Sequence, residues 1–261
     1  MLKKLFATLS GLAFSLALTA PAAADIIQKP IIYTIDEQPF EGYYAINEGL
    51  GNDQPIVLLI HDWNGIGEYE KRRVQMLAEQ GYATFAIDLY GQGIRPETTE
   101  ESEAESSKLY RDRATMRKRL FAGLQEAQNL PNIDQRSKVV AIGYCFGGAS
   151  ALELARAGAE IDGFVSFHGG LETPENQNYE QVQAPILILH GSDDPIAPLE
   201  QVTALAQAMN EANVDFEMEI YGGVRHSFTV WGSNSDAAQY DATADLTSWD
   251  TLLEFLNTEL K

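Results

Sequence analysis

The segment Ile142-Gly143-Tyr144-Cys145-Phe146-Gly147-Gly148-Ala149 puts the only cysteine of a 261-residue chain between two glycines at G-x-C-x-G spacing. An apolar run precedes it and a helical stretch follows, the pattern of a strand-turn-helix elbow with a thiol at its apex. Gly143 and Gly147 stand where a Cβ would meet the neighbouring strand or helix, and such a turn forces its apex residue into sparsely populated backbone angles. At the start of a helix, unpaired N–H groups and the helix dipole favour the thiolate. The chemistry implied is attack on an acyl carbon, which requires a base and a group that orients the base. In the order nucleophile, acid, histidine, the chain supplies Cys145, Asp194 and His226. Asp193 is the near competitor of Asp194.

Of the four histidines, His226 alone follows the final strand, where the base belongs. His61, His168 and His190 each close a strand and read as structural residues bound to loop backbone. Their spacing matches no metal motif, so no metal site is expected. Oxyanion stabilisation is assigned to the backbone N–H groups of Phe146, directly after the nucleophile, and Trp63.

These residues need a scaffold that carries distant loops to one edge. Segments 31–35 and 42–46 read as a hairpin at a sheet edge. Apolar or alternating strands are expected at 55–60, 82–89, 138–142, 163–167, 185–189 and 215–221. Helical stretches intervene at 68–80, 150–157 and 199–210. The last helix, 242–260, carries an apolar stripe of Leu246, Trp249, Leu252, Leu253 and Leu256. Alternating strands and helices imply an α/β fold, a mostly parallel central sheet with helices on both faces, in one domain over residues 25–261. Ligands of such sheets bind at the carboxyl ends of the strands. The stretch 95–130, acidic then basic, reads as a loop and one or two helices presenting a solvated charged face, and it is a candidate lid.

Residues 1–24 read as a signal peptide. Lys3 and Lys4 precede an apolar segment over 5–18, and Ala22-Ala23-Ala24 supplies the cleavage pattern. The expected product begins at Asp25 and is periplasmic or secreted. A single cysteine forms no internal disulfide, so a thiol kept in an oxidising compartment points to chemistry. The formal charge of −20 argues against nucleic acid and anionic membrane surfaces as partners. After cleavage no membrane association is expected, and the chain reads as a monomer or weak homo-oligomer.

Four segments, Ala86-Ile87-Asp88-Leu89-Tyr90, Gly143-Tyr144-Cys145-Phe146-Gly147-Gly148, Gly191-Ser192-Asp193-Asp194-Pro195 and His226-Ser227-Phe228, resemble the dienelactone hydrolase family. The resemblance implies the α/β-hydrolase fold and a cofactor-free enzyme that opens an ester or lactone through a thioester acyl-enzyme on Cys145, with Asp194 and His226. It also implies a carboxylate that pairs with the resting nucleophile, here Asp62, one methylene shorter than the family's glutamate. The arginines that hold a substrate carboxylate in better-known members correspond to Val230 and to the region of Glu103. A neutral small ester or lactone is therefore expected, in a pocket lined by Trp63, Tyr144, Phe146 and Phe167. Arg95 and Arg225 are the candidate replacement cations. A binding protein or redox sensor using Cys145 as an oxidisable thiol is the alternative from a different class.

Overall fold

Five strands made almost wholly of apolar residues form the centre of the sheet: β3 (Ile56–Ile60), β4 (Ala83–Ile87), β5 (Val139–Tyr144), β6 (Gly163–Phe167) and β7 (Ile186–Gly191). Every residue in them is buried, because helices cover both faces of the parallel ladder. The computed structural model describes residues 25–131 and 133–261, and the expected signal peptide lies outside the described residues.

The eight strands run in the order β1-β2-β4-β3-β5-β6-β7-β8. β1 (Ile26–Ile35) and β2 (Gln38–Asn47) form the expected hairpin, longer at both ends, and β2 joins β4 antiparallel. From β4 through β3 to β8 (Phe216–Tyr221) all pairs are parallel. The helices are α1 (Glu68–Glu79), α2 (Thr99–Arg111), α3 (Arg113–Gln128), α4 (Phe146–Arg156), α5 (Leu199–Glu211) and α6 (Ala242–Leu260). Strand periodicity divides the apolar side chains between two layers. Ile56, Leu58 and Ile60 join the layer under α2, α3, α4 and α5, while Val57 and Leu59 join that under α1 and α6.

Two sequence expectations are corrected. The stripe of α6 that faces the sheet runs at intervals of four through Ala244, Ser248, Leu252, Leu256 and Leu260, which turns Leu246 outward to 66% exposure. The region 95–130 forms two helices that leave most of their charged residues exposed, while Arg113, Arg117 and Arg119 of α3 turn inward. Arg113 and Arg117 reach the buried Glu153 of α4 at 3.0 and 2.7 Å, and Arg119 donates to the Leu89 carbonyl at 2.6 Å. Guanidinium stems cover apolar surface while their heads find acceptors, so these basic residues tie α3 to the sheet and to α4. Among the described residues no helix is long and apolar enough to cross a membrane.

Candidate active site

Cys145 adopts φ +52°, a left-handed conformation rare for a residue with a Cβ. The crowding expected of the elbow is present. A Cβ on Gly143 would stand 2.0 Å from the Gly147 carbonyl oxygen, and one on Gly147 would stand 2.1 Å from that of Ile60. Only glycine lets β5, the turn and α4 approach this closely. The Cys145 amide donates to Phe167 O at 3.0 Å, so β6 holds the apex in place. Its thiol is partly exposed at the first turn of α4.

Parallel strands bring their carboxyl ends together, and the loops after β5, β7 and β8 converge there. His226 Nε2 is 3.1 Å from Cys145 Sγ, and His226 Nδ1 is 2.7 Å from Asp194 Oδ2. The other oxygen, Oδ1 of Asp194, accepts the Ile196 and Ala197 amides at 2.8 and 3.0 Å, which fixes the carboxylate. Asp193 is exposed and takes the Ser192 hydroxyl instead. Burial alone would push His226 down, but Cys145 and Asp194 outweigh it and raise His226 to about 10. Burial likewise opposes ionisation of Asp194, and the bond and charge of His226 overcome it and hold the acid below its ordinary range. The arrangement favours the protonated form of His226.

The other histidines occupy separate positions. His61 Nδ1 lies 2.5 Å from Asp62 O and its Nε2 accepts the Leu89 amide. His190 Nε2 lies 2.7 Å from Ala197 O. His168 Nε2 meets Thr229 Oγ1 at 2.8 Å, and its ring packs against that of His226. Among the described residues no group of three His, Cys, Asp or Glu side chains is arranged to hold a metal.

Asp62 and Trp63 lie in the loop after β3. Asp62 Oδ1 accepts the Asn64 amide at 2.9 Å, and its carbonyl accepts that of Gly65. Burial raises Asp62 to about 6, against the pull of the Asn64 amide and the charge of His226. Beneath it Glu70, which the sequence reading passed over, accepts the Gly67 amide at 2.8 Å and faces the Asp62 amide at 3.5 Å. Burial and the neighbouring Asp62 raise Glu70 to about 8. The Trp63 carbonyl accepts the Tyr90 hydroxyl at 2.9 Å, fixing the loop. Phe146 is the first residue of α4, so its N–H is a donor without an intrahelical partner.

Tyr144 and Phe167 do not line a pocket. They are 0% and 1% exposed and stack on each other at 4.6 Å in the layer under α1 and α6. Both precede the chain's turn toward the site and follow strand alternation to the opposite face. Instead, a cavity of about 290 Å³ borders Tyr110 and Ala149, the latter one turn beyond Cys145, and carries Arg113 and Arg156. Tyr110 packs edge-on to Phe146 at 5.3 Å. Burial, then the charge of nearby Cys145, raises the Tyr110 phenol. Tyr110 is one of the few aromatics in the charged stretch, the one signal that could have marked it. Arg95 is bound to Asp88, the Gly91 carbonyl and the Glu41 carbonyl, and Arg225 reaches Ser235 O at 3.5 Å. Glu103 is exposed on α2 and Val230 is half-buried.

A mostly parallel eight-stranded sheet, an elbow between β5 and α4, and acid and histidine loops after β7 and β8 define the α/β-hydrolase fold. Residues 40–260 match the model of the dienelactone hydrolase family, and the chain belongs to that family. It is a hydrolase of the dienelactone hydrolase type. A crystal structure of a dienelactone hydrolase-like promiscuous phosphotriesterase from metagenomic libraries is 31% identical, with a TM-score of 0.85 over 92% of this chain and 100% of that one. A protein of Synechocystis sp. assigned as a carboxymethylenebutenolidase is 26% identical over 89% of this chain and 98% of its own length. The acylaminoacyl peptidase of Pyrococcus horikoshii shares the fold, with a TM-score of 0.71 at 18% identity over 92% of this chain and 42% of the peptidase.

Proposed function

We propose that this protein is an exported thiol hydrolase that cleaves a small carboxylic ester or lactone through a thioester acyl-enzyme, without a cofactor. The observation that carries the proposal is the continuous contact from Cys145 Sγ through His226 to Asp194, at 3.1 and 2.7 Å. His226 Nε2 takes the thiol proton and the thiolate adds to the ester carbonyl. The N–H groups of Phe146 and Trp63 receive the oxyanion. Collapse of the tetrahedral adduct breaks the C–O bond, and the departing alkoxide takes the proton from His226. In a lactone that hydroxyl stays tethered to the acyl chain. His226 then deprotonates a water, which attacks the thioester and returns the thiol. Asp194 keeps the imidazole in the Nδ1–H tautomer and offsets its charge at each stage.

Two features support the family's chemistry: the relatives' assignment as carboxymethylenebutenolidases and a cavity bordered by Ala149, one helical turn beyond Cys145. The amino-terminal pattern of Lys3, Lys4 and Ala22-Ala23-Ala24 supports export. Turnover of p-nitrophenyl acetate by residues 25–261 tests the reading. The wild type hydrolyses it, while Cys145→Ala and His226→Ala lose turnover and keep the wild-type melting temperature. Equal rates in all three would refute it.

A further inference from the structure

His226 lies in the irregular segment that joins β8 to α6. Directly after it, Ser227 takes φ +54°, a left-handed conformation that a residue with a Cβ keeps only where its surroundings hold it. The segment closes on itself: the His226 carbonyl accepts the Gln239 amide at 2.9 Å, and the Phe228 carbonyl accepts that of Asp241 at 3.0 Å. These bonds fix its shape. Its place against the elbow needs a tie to the rest of the fold.

Among the described residues, one side chain from outside 225–245 donates to a carbonyl of the stretch 226–241. It is Arg73 of α1, whose Nη2 lies 2.9 Å from Thr229 O. A guanidinium only donates and a carbonyl only accepts, so the sense of this bond is fixed. The same nitrogen donates to Asp245 Oδ1 in the first turn of α6. Its two hydrogens thus serve the loop and the helix that follows it. The guanidinium also lies 4.5 Å from the ring centroid of Trp231 and 5.4 Å from that of Trp249. Arg73 therefore grips the loop at residues 229 and 231, and α6 at residues 245 and 249. Arg73 and Asp245 are 2% and 6% exposed, so the pair is held away from water.

We infer that Arg73 is a positioning residue: by fastening Thr229 and Trp231 to α1 and α6, it holds His226 within reach of Cys145. Thr229 stands three residues past His226, and the intervening Phe228 is fully buried, so a shift at Thr229 is carried back to His226 rather than absorbed. The contact at stake, 3.1 Å from His226 Nε2 to Cys145 Sγ, tolerates little displacement, because hydrogen bonds weaken steeply as their geometry degrades. Asp194 orients the ring; Arg73 sets where the backbone that bears the ring stands.

The role rests on His226 acting as the base, and a double-mutant cycle separates the two claims. Iodoacetamide alkylation of Cys145, the only cysteine, is timed by intact mass in wild type, Arg73→Met, His226→Ala and the double variant. Arg73→Met is expected to slow alkylation about tenfold in the wild-type background and by less than twofold once His226 is gone, because its effect passes through that residue. A purely structural effect would slow both backgrounds by the same factor, and that result overturns the inference. So does an unchanged rate in both. Alkylation of His226→Ala at the wild-type rate contradicts the assignment of the base, and is read from that protein alone. Arg73→Met combined with Asp245→Asn removes both charges of the buried pair and runs through the same cycle, with the same expected outcomes, should Arg73→Met alone not fold.

Discussion

Asp194 divides its two oxygens between two tasks: Oδ1 binds the Ile196 and Ala197 amides, and Oδ2 stands 2.7 Å from His226 Nδ1. The first bonds anchor the carboxylate in its loop and the second orients the imidazole. Asp194→Asn keeps an acceptor for the amides and removes the charge that favours the imidazolium. It is expected to lower kcat by about 10²–10⁴-fold with little change in KM. Steady-state kinetics beside a thermal melt checks this, and a kcat within twofold of wild type would count against the role of Asp194.

Glu153 carries three guanidiniums while its own carboxylate is fully buried: Arg113 at 3.0 Å, Arg117 at 2.7 Å and Arg156 at 2.9 Å. Loss of that charge in Glu153→Gln leaves uncompensated cations between α3 and α4, at a cost of about 3–5 kcal/mol in urea unfolding. Burial opposes its ionisation, and the arginines overcome this and hold the carboxyl below its ordinary range. Its contribution is therefore present above the unfolded value, about 4.3, and is lost as pH falls through the lowered folded value. The deficit of the variant should shrink on acidification.

Asp62 and Glu70 have the opposite sign. Burial raises them to about 6 and about 8, so the folded state holds protons that the unfolded state has released. Stability from these two groups is full below the unfolded values, about 3.9 and 4.3, and is lost as pH rises through 6 and 8. Glu70→Gln, which retains an acceptor for the Gly67 amide, is expected to gain melting temperature relative to wild type at pH 9 over its standing at pH 5. A difference that does not vary with pH would contradict the shared burial of the pair.

The elbow offers a packing test. A Cβ at position 147 would stand 2.1 Å from the Ile60 carbonyl, a backbone atom in a central strand that has nowhere to move. Gly147→Ala should lose about 3 kcal/mol or more and be recovered poorly from the soluble fraction, as circular dichroism melts would show. A fully stable variant would mean that strand and helix can separate more than the packing of β3 against α4 allows.

Much of the scaffold was readable from local pattern. Unbroken apolar runs such as 56–60 admit little but a doubly covered strand, and the two glycines around Cys145 announce a tight turn. The chain order of Cys145, Asp194 and His226 followed because each loop sits at the end of a strand. What sequence could not supply was direction. Tyr144 directly precedes Cys145 and Phe167 closes β6, yet strand alternation sends both to the far layer. Arg113 and Arg117 looked like a solvated face because their acceptor, Glu153, is far away in the chain and buried.

The central claim is that Cys145 becomes acylated. Mixing residues 25–261 with p-nitrophenyl acetate and quenching in acid within the first turnover, followed by intact and peptide mass spectrometry, measures it most directly. The account predicts a burst of nitrophenolate matching the enzyme concentration and a single acetyl group on the peptide containing Cys145, absent in His226→Ala. Hydrolysis without an acetyl group on Cys145 in the quenched enzyme, or with the label on another side chain, would contradict it.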